Sequence, residues 1–264
     1  MPNLMRTPFL VVGNLKMNLV SEKDGDHYLS ELRKALYGKH FEHALGVVAP
    51  PFIHLAHFAH LPQHFQLGAQ DMHWEKSGAY TGSISPMMLK SLGVTYVILG
   101  HSERRRDLGE TDALVRKKVE AALYHNLIPI VCIGESEKER IEGTTTERVA
   151  QQLASIFAGL SSLQAEKVVI AYEPIWAVGT GKTPTTTDIF QVKVFIRKWF
   201  TEHFDTRLAE RVQVIYGGSV NTTNLGAVSW EAEMHGVLVG KESLFPRELV
   251  KMMELAEKRL SSAV

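Results

Sequence analysis

Five short stretches of the sequence place side chains or backbone donors where chemistry could be done. Asn14 and Lys16 follow the apolar run FLVVGN. His101, Ser102 and Glu103 follow TYVILG. Glu173 ends KVVIAYE and is followed by Pro174. Gly217, Gly218 and Ser219 close VQVIYGG-S, and Gly240 and Lys241 close HGVLVG-K. An imidazole, a carboxylate, an amine and two glycine-rich turns are the ingredients for moving a proton on a small anionic substrate. The glycine-rich turns leave backbone N–H groups free to bind an anion. Proline restricts the residue before it to extended conformations, so Glu173 is held at a corner between strand and loop.

These groups act together only if one architecture brings five strand ends to one face. The apolar runs are 9–14, 45–49, 66–70, 95–100, 128–134, 167–173, 212–218 and 235–240. Most are continuous rather than alternating, as in strands buried on both faces of a parallel sheet. Amphipathic segments lie between them. Leu29, Leu32, Ala35 and Leu36 recur at helical spacing after Ser21. Leu114, Val115, Val119, Ala122 and Leu123 share a stripe after Thr111, and Ile189, Phe190, Val194 and Trp199 share another after Thr186. A last helix is predicted from near Pro246, carrying Leu249, Val250 and Met253. Eight strands with helices between them predict an α/β fold, a (β/α)8 barrel, with a doubly wound open sheet as the alternative. No linker or composition shift divides the chain, so residues 1–264 are expected to form a single domain. In such a barrel the chemistry sits at the C-terminal ends of the strands.

Composition excludes several classes of function. Of 264 residues, 45% are hydrophobic and 22% charged, and the formal net charge is zero. No global field therefore favours nucleic acid or a membrane surface. Cys132 is the one cysteine, so no internal disulfide framework exists, which fits a reducing compartment. The N-terminal apolar run is short and broken by Pro8, and no stretch approaches a bilayer span. A cytoplasmic location is expected.

Several motifs mislead. GTGKT resembles the end of a P-loop, but Trp176 stands where that motif needs glycine. GHSER resembles a nucleophile elbow, but Arg104 occupies its last glycine position. His54, His57, His60 and His64 fall at helix-like spacings, but Pro62 interrupts them and no acid or cysteine joins them, so no metal site is assigned. Asn221-Thr-Thr is a formal glycosylation sequon with no meaning in the cytosol. Cys132 lies in a buried run and reads as packing.

The segments GNLKMN (13–18), YTGSIS (80–85), ILGHSERR (98–105), VCIGE (131–135), AYEPIWAVGTGKT (171–183), YGGSV (216–220) and LVGKESL (238–244) resemble, in order, the signatures of the triosephosphate isomerase family. They run nearly end to end. The resemblance implies a TIM barrel that interconverts dihydroxyacetone phosphate and glyceraldehyde 3-phosphate, in glycolysis and gluconeogenesis, without a cofactor or metal. It implies Glu173 as the base, His101 as a neutral electrophile, and Lys16 as positive charge near phosphate and enediolate. Asn14 becomes a substrate contact and Glu103 a partner of Lys16. Ile175 to Lys182 match a closing lid anchored by Pro174 and Trp176, which excludes water and suppresses loss of phosphate. Gly179, Ser219, Gly240 and Lys241 match phosphate-gripping backbone, with Tyr216 and Ser219 as the latch of the closed lid. The segment from Asp71 to Gly82, with Thr81 at its tip, matches a loop that enters a partner near Asn14, Met17 and Glu103, so a homodimer is expected.

Three positions depart from the family's usual pattern. Leu15 stands for Trp, Ser83 for Glu near the dimer contact, and Lys241 for a second Gly. None removes a catalytic position. Other phosphosugar barrels lack the combined Asn-Lys, His and Glu-Pro-Ile-Trp set. A catalytically dead relative would have lost Lys16, His101 or Glu173, and all three are present.

Overall fold

The computed structural model describes residues 7–178, 180 and 182–262. Gly179, a predicted phosphate contact, and Gly181 lie outside the described residues. Eight parallel strands close into a barrel in sequence order. They are β1 (Phe9–Asn14), β2 (Ala44–Ala49), β3 (Phe65–Ala69), β4 (Tyr96–Leu99), β5 (Ile128–Ile133), β6 (Val169–Tyr172), β7 (Gln213–Tyr216) and β8 (Gly236–Val239). Closure comes from β1 pairing with β8, Val11 beside Val237 and Val12 beside Leu238. Every run expected to be a strand is one, with ends within a few residues.

The helices are α1 (Glu22–Leu36), α2 (Pro86–Ser91), α3 (Ser102–Leu108), α4 (Asp112–Tyr124), α5 (Glu137–Ile141) and α6 (Thr145–Phe157), followed by α7 (Ser162–Ala165), α8 (Thr186–His203), α9 (Thr206–Arg211), α10 (Leu225–Val228) and α11 (Pro246–Ser261). Their starts are chemically marked. Ser21 and Asp24 form a capping box on α1, as Thr185 and Asp188 do on α8. Thr111 caps α4 through the Leu114 N–H, and Pro246 opens α11, where its missing N–H costs nothing.

Two apolar layers result. Inside the barrel lie Leu10, Val12, Val47, Ala49, Ile98, Ile130, Cys132, Val169, Ala171, Ile215 and Leu238. Between barrel and helices lie the alternate strand residues, such as Val11, Val48, Val97, Val131, Ile170 and Val214, packed on the helix stripes. Both faces of each strand are thus buried, which is why the runs read as continuous. One helix stripe differs from expectation. On α8 the buried face is Ile189, Val192, Ile196, Trp199 and Phe200, with Lys193, while Phe190 and Val194 are exposed. The helix carries apolar residues on two faces, and contact with the barrel decides which one is covered.

Three of the four histidines of 54–64 have separate partners. His54 Nε2 bonds the Leu19 carbonyl oxygen at 2.8 Å, His57 faces Asp26 at 3.0 Å, and His64 packs edge-on against His40 and Phe41. Cys132 is buried in β5 among apolar residues, as expected.

His235, at the entrance to β8, gives the fold a measurable pH dependence. Its Nδ1 accepts the Val214 N–H at 2.9 Å. Burial, with help from the nearby Lys193 and Arg197 cations, pulls its pKa down from 6.5 to about 4. As pH falls, the unfolded chain takes up this proton near 6.5 and the folded chain only near 4, so stability is lost across that interval. His235→Asn removes the titration. The pH-induced loss between those limits is expected to shrink by about 2–3 kcal/mol in chemical denaturation. Parallel curves for the two proteins would show that His235 is not buried neutral.

Candidate active site

Alternation along the strands places the site. In β1 the inward residues are Leu10 and Val12, so the next is Asn14; in β6 they are Val169 and Ala171, so the next is Glu173. Both side chains are buried at the barrel mouth, 5% and 2% exposed. The same count in β5, β7 and β8 gives Gly134, Gly217 and Gly240. A Cβ at Gly217 would lie 2.7 Å from Glu173 Cγ, and one at Gly134 would lie 1.9 Å from the Glu173 carbonyl oxygen. A Cβ at Gly240 would lie 3.4 Å from Lys16 Cε. Three strands withhold side chains from this layer, and the acid and the amine occupy the room.

His101 has the wrong parity in β4, where Val97 and Leu99 face outward. Gly100 corrects this with a left-handed turn, φ +68°. His101 then caps α3, with its Nδ1 accepting the Glu103 N–H at 3.2 Å. A nitrogen that accepts from a backbone N–H carries no proton, so the ring is the neutral tautomer with its hydrogen on Nε2. Arg105 fixes this corner. It donates from Nε to the Gly100 carbonyl at 2.7 Å and from Nη2 to the Cys132 carbonyl at 3.3 Å, and pairs with Asp112 at 2.5 Å.

Glu173 and His101 face each other. One carboxylate oxygen of Glu173 accepts the Ser102 N–H at 3.2 Å. The other has no hydrogen-bond partner in the protein and lies 3.4 Å from His101 Nε2. Lys16 adopts a left-handed conformation, φ +51°, which a non-glycine residue keeps only under constraint. The constraint is visible. Its N–H donates to Asn14 Oδ1 at 3.1 Å, and its carbonyl accepts from Gln70 Nε2 at 2.9 Å. Its ammonium pairs with Glu103 at 2.5 Å.

The segment after Pro174 is anchored on a residue that sequence reasoning missed. Glu135 is completely buried. It accepts from the Trp176 indole N–H at 2.8 Å and from the Tyr172 hydroxyl at 3.1 Å, and its carbonyl accepts the Ile175 N–H at 3.0 Å. Arg140 lies 5.3 Å over the Trp176 ring. Burial raises the Glu135 pKa, opposed mainly by the Trp176 N–H. VCIGE contains this residue, but nothing local distinguishes it from a surface acid. Gln70 and Arg105 were missed for the same reason. Ser219 Oγ donates to the Ala177 carbonyl at 2.8 Å, while the buried Tyr216 hydroxyl makes no hydrogen bond within the protein. Gly240 and Lys241 open the turn after β8, which is tied to β1 by Ser243 Oγ donating to the Asn14 carbonyl at 3.1 Å. Lys241 is not among the described residues with positive φ, so its side chain sits there without left-handed strain. Thr81 is exposed.

A (β/α)8 barrel with an acid, a neutral imidazole and an amine at the C-terminal ends of its strands is of the class built for acid–base chemistry on small substrates. The sequence profile of triosephosphate isomerase matches residues 9–256. A triosephosphate isomerase of a Thermoanaerobacter species is 43% identical over 94% of this chain and 99% of the relative. That of Caldanaerobacter subterraneus subsp. tengcongensis is 47% identical over 78% of this chain and 84% of its own. That of Alkaliphilus oremlandii is 43% identical over 93% and 98%. The chain belongs to the triosephosphate isomerase family.

Glu135→Ala tests the anchor. It leaves the Trp176 and Tyr172 donors unpaired, and a loss of about 2 kcal/mol in stability is expected. Hydrogen exchange at the Ile175–Ala177 amides should accelerate. Unchanged exchange there would show that Glu135 does not hold this segment.

Proposed function

We propose that this chain interconverts dihydroxyacetone phosphate and D-glyceraldehyde 3-phosphate by proton transfer through an enediolate. The observation that carries the reading is the pairing of an unbonded Glu173 oxygen with the neutral His101 ring, 3.4 Å apart and buried. Glu173 removes a proton from the hydroxymethyl carbon of dihydroxyacetone phosphate, and the electron pair moves toward the carbonyl oxygen. His101 Nε2–H hydrogen-bonds that oxygen and moves protons between the two oxygens. Glu173 then returns its proton to the neighbouring carbon, so no atom is gained or lost. Lys16, already beside this mouth, stabilises the negative charge as it develops. Asn14 orients Lys16 and contacts the substrate.

The backbone N–H groups at Ser219, Gly240 and Lys241 suit a phosphate held at the mouth, and the family resemblance adds Gly179 in the lid, which lies outside the described residues. Pro174 and Trp176 form the fixed end of that lid, and Tyr216 and Ser219 its latch. Tyr216, a buried hydroxyl without a partner, supports that role, since closure can supply one. Glu103 holds the Lys16 ammonium in place. The reaction as written uses protein groups alone and calls for no cofactor or metal.

The closing of β1 on β8 supports reading residues 1–264 as one domain. No helix among the described residues is long and apolar enough to cross a membrane, and a cytoplasmic enzyme acting in glycolysis and gluconeogenesis is the matching role. A homodimer completes the reading. Met17, next to Lys16, is 92% exposed, and the loop carrying Thr81 stands out from the barrel. That loop is braced by His73 stacked on Trp74 and packed on Tyr80, ring centroids 4.0 and 4.4 Å apart. A braced, exposed loop and an exposed Met17 suit a loop that inserts into a second copy.

A coupled assay of glyceraldehyde 3-phosphate turnover, with Glu173→Ala alongside, tests the reaction. A fall of at least about a thousandfold in kcat with unchanged circular dichroism is expected, from loss of the positioned base. A folded wild type without turnover would overturn the assignment. Light scattering after size-exclusion chromatography is expected to give twice the chain mass. A fully active monomer would refute the dimer.

A further inference from the structure

We propose that the Lys241 side chain determines the preference of this site for a doubly charged anion, by supplying at its mouth an ammonium that has no carboxylate partner among the described residues. The inference rests on the proposed reading of the site as one that binds a phosphorylated substrate. It concerns the ammonium, whereas the contact already proposed for this residue is its backbone N–H.

The first support is position. Lys241 follows Gly240, whose missing Cβ faces Lys16, 3.4 Å from its Cε and 3.7 Å from its Nζ. Gly240 therefore lies close against the Lys16 side chain, and Lys241 is the next residue along the same turn. Their turn is fixed. Ser243 Oγ bonds the Gly240 and Asn14 carbonyls at 2.6 and 3.1 Å, and the buried Tyr28 hydroxyl donates to the Ser243 carbonyl at 2.9 Å. The side chain of Lys241 thus leaves a rigid backbone at the rim and extends into solvent.

The second support is charge. Lys16 is neutralised by Glu103 at 2.5 Å, and Glu173 adds a further negative charge facing a neutral imidazole. These four side chains sum to one negative charge, which repels an incoming dianion. Lys182, in the segment after Pro174, is paired with Glu137 at 3.0 Å. Lys241 makes no ion pair among the described residues, its neighbour Glu242 included. Its ammonium is therefore available to offset that charge, and an exposed cation does so in a salt-dependent way.

The test compares wild type with Lys241→Met, Lys241→Gly and Lys241→Arg. Two quantities are read: KM for glyceraldehyde 3-phosphate in the coupled assay, and binding of inorganic phosphate by nuclear magnetic resonance titration. At about 10 mM ionic strength, Met and Gly variants are expected to raise KM and weaken phosphate about three- to tenfold, with the loss in KM more than in kcat. The difference should contract at about 150 mM, and the Arg variant should stay within about twofold of wild type. Equal phosphate binding in wild type and Lys241→Met at low salt would overturn the proposal, as would a loss confined to kcat. A wild type that binds phosphate through Lys241 but does not isomerise triose phosphate would sink the isomerase reading and keep this one.

Discussion

The structure depends on burying one carboxylate at the end of β6 without neutralising it. Glu173 is 2% exposed, yet only one of its oxygens is hydrogen-bonded, to the Ser102 N–H. Leaving a buried carboxylate oxygen without a donor is costly, commonly about 1–3 kcal/mol. The surrounding barrel is arranged to tolerate it. The next inward positions, just past the ends of β5, β7 and β8, are glycines, and at Gly134 and Gly217 any side chain would collide with Glu173. Nothing in the fold's packing requires that pattern, since apolar side chains fill the layer beneath. Space and an unsatisfied oxygen at the same point are what a base needs to meet a C–H bond.

The neighbouring groups are held by hydrogen bonds rather than by packing. His101 is brought round by the turn at Gly100, capped onto α3, and locked in one tautomer by the Glu103 N–H. Arg105 ties that corner to β4, β5 and α4. Lys16 is kept in a left-handed conformation by Asn14 and Gln70. Each group has few degrees of freedom left, so reorganisation during reaction is small, the condition under which electrostatic stabilisation is most effective. Glu135 performs the same service for the segment after Pro174. It binds Trp176 and Tyr172 from a completely buried position, so the start of the segment after Pro174 is fixed to the barrel itself.

Much of this was legible in the sequence, for physical reasons. Strands buried on two faces must be apolar at consecutive positions, so the eight runs pointed to a parallel sheet with the barrel as the leading expectation, and the pairing of β1 with β8 decided it against the open sheet. Pro174 fixes the corner at Glu173, whereas the inward direction of Asn14 and Glu173 follows only once the structure shows which alternate residues of β1 and β6 face the barrel interior. Ser21 and Thr111 mark helix starts because the unsatisfied N–H groups there need a nearby oxygen, while on α8 the cap is Thr185, one residue before the expected Thr186. Family signatures supplied the roles. The stripe on α8 was not legible, because Phe190 and Val194 offer a second apolar face that only the barrel rejects.

The sequence alone determined the order of elements, the family, and which residue types stand at strand ends. Those are local properties: hydrophobic period, turn chemistry and the identity of the residue after each strand. Tertiary structure decided what those residues face. The importance of Glu135, Gln70 and Arg105 arises from contacts between segments 27 to 54 residues apart, such as Arg105 with Cys132 and Gln70 with Lys16. The neutral tautomer of His101, the free oxygen of Glu173 and the unpaired charge of Lys241 are likewise statements about neighbours across the barrel. A sequence states which groups are present. Barrel closure alone sets the distances at which they satisfy, or leave unsatisfied, one another's hydrogen bonds and charges.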